Sequence, residues 1–338
     1  MTASPNSAAP SLADPLRRRL LAGAALAALP VAGAFAQREG VQVGPPSKMS
    51  ALAPSAEEVE AQSAQEYRQL LQQAGAKNKL ALPTHPQVIR LNYISQRLRQ
   101  FAPMWNQRAS GWQWEVNLIG SDQINAFCMP GGKIAFYWGI LDKLKLSDAE
   151  VSMIMGHEMT HALREHAREQ MGKQQATGLG IAALSAIFRL GQVGQQVAGI
   201  SGQMLGLKYS RDDETEADLI GLELAARAGY DPQAAISLWT KMENLASNGA
   251  PPALLSDHPS NPDRMSTIER NIPNVVGLYQ RASKPDCTFG PPGSPSNAVC
   301  PSAMPPRSNQ QQSYPGGGYR RVDPNQPQYE QDGGPYRR

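Results

Sequence analysis

The chain has 338 residues, which is enough for one large domain or two small ones. Its 32 basic and 29 acidic residues give a net charge of +3, and three arginines against one aspartate near the N-terminus account for two of these charges. The rest of the chain is close to neutral, which excludes the basic surface of a nucleic-acid-binding protein.

Residues 1–36 predict an export signal. Three arginines at positions 17–19 precede the apolar stretch LLAGAALAALPVAGAFA, which closes on a small-x-small cleavage pattern, so the mature chain is expected to begin at Gln37. An uncleaved membrane anchor is the alternative, although the stretch is short and interrupted by Pro30. RRRLL also suits the twin-arginine export route, and the lack of a cysteine after the apolar stretch excludes lipid anchoring at that position.

The region after the signal changes from a linker to helices and then to strands. Residues 37–54 are rich in Gly, Pro and Ser and are interpreted as a linker. A capping box, Ser55-x-x-Glu58, opens a polar amphipathic helix, and a second helix is expected from Pro86 to Phe101. WQWEVNLI then alternates as a half-buried strand does, and INAFC and KIAFYW flank MPGG as the two strands of a hairpin.

A second capping box, Ser147-x-x-Glu150, predicts a helix that continues to about Gln170. Residues 176–207, which follow it, are apolar, but an arginine and several glutamines interrupt every run long enough to span a bilayer. Packed or surface-lying helices, with peripheral membrane contact, are therefore favoured there over a transmembrane hairpin.

The last third of the chain begins with helices and ends in a tail of low complexity. Helices are expected from Asp212, from Asp231 and, as a short final helix, from near Pro262. Residues 283–338 consist mainly of Pro, Gly, Gln and Ser without a hydrophobic period, which predicts a disordered tail. The folded domain is accordingly placed at residues 55–282.

An exported protein meets an oxidising compartment, so its three cysteines can be interpreted. Cys287 and Cys300 flank a Pro/Gly-rich loop, and a disulfide between them would stabilise the chain by about 3 kcal/mol in the chain-entropy model. Two unpaired thiols are the alternative. Cys128 would then be the odd cysteine, buried in a strand.

The stretch IMGHEMTHALREHA carries the pattern H-E-x-x-H, with His157 and His161 four residues apart and Glu158 beside the first. On a helix this spacing stacks the two imidazoles, as two nitrogen ligands of a tetrahedral metal require. Glu158 lies a third of a turn away, near enough to take a proton from a water that the metal activates. A catalytic site of this kind still needs a third protein ligand.

Two candidates exist for the third ligand. His166 lies five residues after His161 without an intervening glycine, which does not fit the spacing of a third histidine ligand, so it is expected to be exposed on the helix. Glu214 and Asp218, in SRDDETEADLIG, are four apart on one helix face. This spacing suits a carboxylate ligand followed by a carboxylate that holds the ring N–H of a metal-bound histidine. A solvated acidic helix start is the alternative.

Together these motifs resemble the HtpX-like zinc peptidases, the forty-eighth metallopeptidase family, whose members include BepA, LoiP and the CAAX prenyl endopeptidases. The matching segments are NAFCMPGGKIAFYWGIL, GHEMTHALREH, SRDDETEADLIG, AGYDP and HPSNPDR. The resemblance implies one Zn²⁺ per chain, with His157, His161 and Glu214 as its ligands. It also implies that Glu158 is the general base and that Asp218 supports the ligands. It also implies an α+β, mainly helical, zincin-like fold, in which a small β-sheet packs on the HExxH helix.

In such peptidases an edge strand above the active-site helix pairs with the extended substrate, and the matching segment is Asn125, Ala126, Phe127 and Cys128. An ordinary buried hairpin is the alternative. The transmembrane helices of the HtpX and prenyl-endopeptidase branches and the helical-repeat domain of BepA have no counterpart in the sequence, so what remains resembles the small, exported LoiP-like type.

His258, in SDHPSNPDR, is the histidine that follows the expected ligands. The resemblance places it near the cleft, where it would be a fourth zinc ligand that keeps the enzyme latent or a donor to the oxyanion; a surface loop histidine is the alternative. The sequence thus predicts a zinc-dependent endopeptidase that acts on misfolded or unassembled proteins of the cell envelope, in the periplasm or at the periplasmic face of a membrane. Two other functions remain open: a chaperone-like periplasmic protein with a structural zinc, and a membrane-held peptidase. The oligomeric state is left undetermined.

Overall fold

The structure is a computed structural model that describes residues 39–176, 209–247, 254, 258 and 263–294. Within these residues the helices are α1 (Ala56–Ala76), α2 (Pro86–Arg99), α3 (Trp138–Lys143), α4 (Asp148–Leu163), α5 (His166–Ala176), α6 (Arg211–Arg227), α7 (Ala234–Ser247) and α8 (Arg264–Arg281). The strands are β1 (Glu115–Ile119), β2 (Ala126–Met129) and β3 (Lys133–Tyr137). Among the described helices, none has the length and apolar character needed to cross a membrane.

Reciprocal capping fixes where the helices of the site begin. The capping boxes predicted at Ser55 and Ser147 are confirmed: each serine side chain accepts a hydrogen bond from the backbone N–H three residues on, and the glutamate there accepts one from the serine N–H. Ser210 and Asp213 cap α6 in the same way. Since each box satisfies two of the N–H groups left open at a helix start, the registers of α4 and α6 are set locally.

The predicted hairpin is confirmed, and it forms part of a three-stranded sheet with the order β1-β3-β2. Strands β2 and β3 are antiparallel, and two glycines with positive φ, Gly131 and Gly132, make the turn between them. The pattern of single strands did not predict that β1 pairs with β3 in parallel. Strand β2 is left at one edge of this sheet.

Helices cover both faces of the sheet. Ile119, Phe127, Met129, Ala135 and Tyr137 pack with apolar residues of α1 on one face. The alternate strand residues belong to the main core, which includes residues of α2, α4 and α6. The expected α+β, mainly helical architecture with a small sheet on the HExxH helix is confirmed, because α4 packs directly on β2.

The helix that carries H-E-x-x-H is shorter than the sequence predicts. It was expected to reach Gln170, but α4 ends at Leu163 and α5 begins at His166. Glu165 has a φ of 57°, the left-handed conformation that ends many helices. Because no glycine marks this break, it could not be predicted from the sequence. The chain changes direction between His161 and His166.

Two glycines allow α4 and α6 to approach each other closely. A Cβ on Gly221 would lie 2.6 Å from the backbone nitrogen of His157, and one on Gly156 would lie 2.8 Å from the carbonyl oxygen of Gly221. Both are rigid backbone atoms, so a side chain at either position would force the helices apart. The absence of side chains here brings the residues of α6 within reach of those of α4.

We expect Gly221→Ala to destabilise the fold by about 1–3 kcal/mol, the usual cost of overpacking a core. Urea denaturation would measure the change. Gly75→Ala is the matched control, because a Cβ on Gly75 meets nothing within 4 Å and alanine favours a helix. A denaturation midpoint for Gly221→Ala at or above that of the unmodified chain would contradict the close helix contact.

The described domain extends beyond the predicted bounds of 55–282 at both ends. Val41 is buried, and its N–H donates to Glu223 at 2.9 Å, so part of the segment interpreted as a linker packs on the domain. Cys287 and Phe289 are also buried, and the Phe289 N–H donates to Asp148 at 2.8 Å. Composition missed these contacts because single apolar residues within Pro/Gly-rich segments form no period. The export signal, residues 177–208, Cys300 and the rest of the tail lie outside the described residues, so the disulfide stays a prediction.

Candidate metal centre

Helices α4 and α6 bring three predicted ligands together. The Nε2 atoms of His157 and His161 are 3.1 Å apart, because the two residues are one turn apart on α4. Glu214, in the first turn of α6, has one carboxylate oxygen 3.5 Å from His157 Nε2 and the other 3.6 Å from His161 Nε2. All three side chains are buried.

His258 is buried beside the three ligands and supplies a fourth donor atom, so it is not the surface loop histidine of the alternative interpretation. Its Nδ1 atom lies 3.2 Å from His157 Nε2 and 2.9 Å from Glu214 Oε1, and only 4% of the residue is exposed. One donor atom from each of His157, His161, Glu214 and His258 falls within 4.8 Å of the others. A tetrahedral metal with bonds of about 2.0–2.1 Å would separate its ligand atoms by about 3.3 Å. The observed separations suit such an ion.

The protonation states of these groups also fit a metal ion. Burial, together with the neighbouring His157, lowers the pKa of His161 well below its usual value, which favours the neutral imidazole that metals bind. Burial alone would raise the pKa of Glu214, but the hydrogen bond from His258 and the charge of His157 outweigh it and lower the pKa. One oxygen of Glu214 is buried and has no hydrogen-bond partner among the described residues; Arg264 Nη1 is 3.2 Å away but is not aligned to donate to it. A cation would satisfy this oxygen.

Glu158 lies beside the donor cluster with a carboxylate oxygen that accepts no hydrogen bond from any described residue. This oxygen is buried, and His258 Nε2 lies 3.6 Å from it. Burial raises the pKa of Glu158, although the positive charges of His258 and His157 act in the opposite direction. A buried carboxylate with a raised pKa and a free acceptor oxygen is suited to proton transfer.

Asp218 holds His157 as the spacing predicts. Its Oδ1 atom is 3.0 Å from His157 Nδ1, the ring nitrogen that faces away from the donor cluster. Arg264, at the start of α8, forms two hydrogen bonds with the Asp218 carboxylate and stacks on Trp239. Burial alone would raise the pKa of Asp218, but the charge of Arg264 outweighs it and lowers the pKa. Sequence reasoning included Arg264 as the last residue of the HPSNPDR segment but assigned it no role, because its contact with Asp218 joins two helices that are distant along the chain.

The expectation that His166 is exposed is wrong. Only 1% of the residue is exposed, and its Nδ1 atom lies 2.9 Å from Nδ1 of His161. Its other nitrogen lies 3.0 Å from Glu216, which also forms an ion pair with Arg164. The early end of α4 explains the error, because His166 begins a new helix that directs its ring back towards His161. The only feature of the sequence that pointed to this contact was the spacing of five residues between His161 and His166.

Tyr209, just before α6, also contacts the cluster. Its ring stacks on the His161 ring with centroids 3.9 Å apart and an angle of 19° between the planes. Burial raises the pKa of its hydroxyl, which therefore stays protonated at neutral pH. The stacking fixes the plane of the His161 ring from one side. Sequence reasoning missed this contact.

The predicted substrate strand lies next to the cluster in the fold, since β2 packs on α4. Asn125, Ala126, Phe127 and Cys128 are all buried, and Cys128 is a free thiol, as expected of the odd cysteine. Within the described residues, β2 pairs with β3 alone. Just before β2, the Ile124 carbonyl accepts a hydrogen bond from the Leu254 N–H at 3.1 Å, and the Leu254 carbonyl accepts one from the His258 N–H at 2.8 Å.

Two histidines and a glutamate from two helices, with a second glutamate in H-E-x-x-H, form the residue pattern that is found in metallopeptidase centres. A comparison with protein families agrees: residues 89–272 match the model of Peptidase family M48, and the chain belongs to that family.

Curated relatives are found in mitochondria and in bacteria. The mitochondrial metalloendopeptidase OMA1 of Arabidopsis thaliana is 39% identical over 47% of this chain and 31% of its own length. OMA1 of Schizosaccharomyces pombe is 31% identical over 62% of this chain and 59% of its own. The beta-barrel assembly-enhancing protease of Escherichia coli is 29% identical over 49% of this chain and 36% of its own. The chain thus spans about a third to three fifths of the length of these relatives.

Proposed function

We propose that this protein is a zinc-dependent endopeptidase that hydrolyses peptide bonds in proteins of the cell envelope, above all in misfolded or unassembled ones. One observation carries the proposal: the buried donor set of His157, His161 and Glu214 adjoins the free carboxylate oxygen of Glu158. A structural metal site needs no such base. The family match supports a peptidase, and the export signal predicted in residues 1–36 supports the cell envelope.

Two histidines and one carboxylate are a ligand set of catalytic zinc sites, which keep a further position open. Zinc bound there would polarise the scissile carbonyl and lower the pKa of a bound water to about 7. His157, His161 and Glu214 would hold the ion. Asp218, which Arg264 holds in place, would orient the His157 ring through Nδ1, the ring nitrogen that faces away from the ion.

Glu158 is proposed as the general base. Its free oxygen would accept a proton from the attacking water, and the protonated carboxyl would then donate to the leaving amine. The raised pKa supports both steps, because a base whose pKa approaches the working pH can accept and return a proton.

The substrate is proposed to lie along β2. An extended chain could add to the edge of the sheet through backbone hydrogen bonds, which are independent of substrate sequence. Residues Asn125 to Cys128 would form this edge. Recognition through the backbone suits a protease of unfolded proteins, because an unfolded chain presents free N–H and C=O groups.

His258 is proposed to keep the enzyme latent. Its Nδ1 atom occupies the place of a fourth ligand, which would leave a bound metal no open position. The same segment is held at Leu254, which is buried in the apolar core and donates its N–H to Ile124 beside β2. His258 would therefore block the metal, and Leu254 would block the approach to the substrate edge.

We expect His258→Ala to raise the initial rate of casein cleavage, by about tenfold if closed molecules outnumber open ones tenfold. If His258 instead donates to the oxyanion, the same change should lower turnover by about 10²-fold or more. The measurement is casein cleavage at saturating zinc, with His85→Asn as control: His85 is also buried but caps α2. An unchanged rate would contradict both roles.

Casein digestion by the purified full chain, with and without a chelator and with zinc added back, tests the proposed function. Cleavage that the chelator abolishes and zinc restores is expected. Tight zinc without cleavage, even in His258→Ala, would favour the chaperone-like protein with a structural zinc. Carbonate extraction of the mature protein would detect the membrane-held form.

A further inference from the structure

The two histidines on α4 have different partners at Nδ1, the ring nitrogen that does not face the donor cluster. Asp218 contacts Nδ1 of His157, whereas the partner at Nδ1 of His161 is a third histidine, His166, at 2.9 Å. The rings of His161 and His166 are almost fully buried and stand at 73° to each other with centroids 5.0 Å apart. No property of the H-E-x-x-H pattern requires this third histidine.

If His161 is a metal ligand, the hydrogen-bond geometry determines the tautomers of both rings. Nε2 of His161 faces His157 and Glu214, so it must carry a lone pair if it is a ligand, and its proton then resides on Nδ1. That N–H can donate only if Nδ1 of His166 accepts. The proton of His166 is then on Nε2, which donates to Glu216 at 3.0 Å.

Glu216 is itself fixed. Two nitrogens of Arg164 donate to its two carboxylate oxygens, each at 2.7 Å, and Arg164 also donates to the Gly44 carbonyl at 2.7 Å. Glu216 lies between Glu214 and Asp218 along α6. The arrangement parallels that at His157, where Arg264 holds Asp218 in a two-pronged contact.

We infer that His166 and Glu216 are the positioning residues for His161, which hold its ring and its tautomer in the form that binds metal. The inference rests on the proposed metal centre. Through His166, the carboxylate of Glu216 favours the proton on Nδ1 of His161, so a lone pair remains on Nε2. Partners of this kind change metal affinity by about 10–100-fold.

The alternative is a purely structural role, in which the buried pair stabilises α5 against α4 and α6. The two roles differ in what they change. A structural role lowers the melting temperature of the chelator-treated chain, whereas a positioning role lowers its affinity for zinc. A conservative replacement that can still accept and donate should restore the affinity.

The experiment measures the zinc dissociation constant of the full chain by competition with a chromophoric chelator, alongside the melting temperature of the chelator-treated chain. His166→Phe keeps a ring but cannot accept from His161, and we expect a dissociation constant about 10–100-fold higher. In His166→Gln the amide can accept and donate, and most of the affinity should return. Glu216→Gln should also weaken binding, whereas the control His85→Asn should not.

Unchanged zinc affinity in both His166→Phe and Glu216→Gln would overturn the inference, even if their melting temperatures fall. If His166→Phe does not fold, unchanged affinity in Glu216→Gln alone overturns it. A wild-type chain that binds no zinc would instead overturn the proposed function. The zinc affinity of the wild type therefore separates the two failures.

Discussion

Replacing Glu158 by Gln is expected to leave metal binding intact and to lower casein cleavage by about 10²–10⁴-fold, the usual contribution of a general base. The amide has the size of the carboxylate but cannot accept a proton at neutral pH. Glu158 is not one of the four donor groups, so the ligands should stay in place. Casein cleavage and metal content, measured on the same preparation, would check both halves of this result.

The matched control for this change is Glu150→Gln. Glu150 lies on the same helix and is equally buried, at 2%, but it caps α4 and contacts Ser237 and Lys241. Its replacement should change stability more than catalysis. Wild-type cleavage by Glu158→Gln would exclude Glu158 as the base, and loss of metal from that variant would mean that it supports the ligands instead.

The parts of this site that sequence predicted are those fixed by local rules. The capping box at Ser147 sets the start of α4, and helical spacing then places His157 and His161 on one face. The same spacing on α6 relates Glu214 to Asp218. These relations hold within one helix, so one sequence is enough to see them.

The parts that sequence missed depend on contacts between elements. Nothing in the hydrophobic period marks the left-handed residue Glu165, yet this residue turns the chain and brings His166 behind His161. Arg264 reaches Asp218 from a position 46 residues further on, and the Val41 N–H donates to Glu223, which lies 182 residues away in the sequence. The last two contacts join groups that are far apart in the sequence, and periodicity reveals none of the three.

Replacing Glu214 by Ala is expected to lower both the zinc affinity and the rate of cleavage. Loss of a residue that only supports a ligand lowers metal affinity by about 10–100-fold, and loss of a ligand should lower it further. The change removes the only carboxylate among the four donor groups. It also leaves the buried Arg264 without a nearby negative charge that it has in the wild type. Metal analysis after dialysis and the zinc dissociation constant would measure the loss.

Asp212→Ala is the control for this prediction, because Asp212 carries the same charge in the same helical turn but is exposed. It should bind zinc as the wild type does. Since an ion that binds only the folded chain stabilises it, a chelator should lower the melting temperature of the wild type and of Asp212→Ala. The same chelator should hardly change that of Glu214→Ala. Full, tight zinc in Glu214→Ala would place the third ligand elsewhere, with His258 as the remaining donor of the cluster.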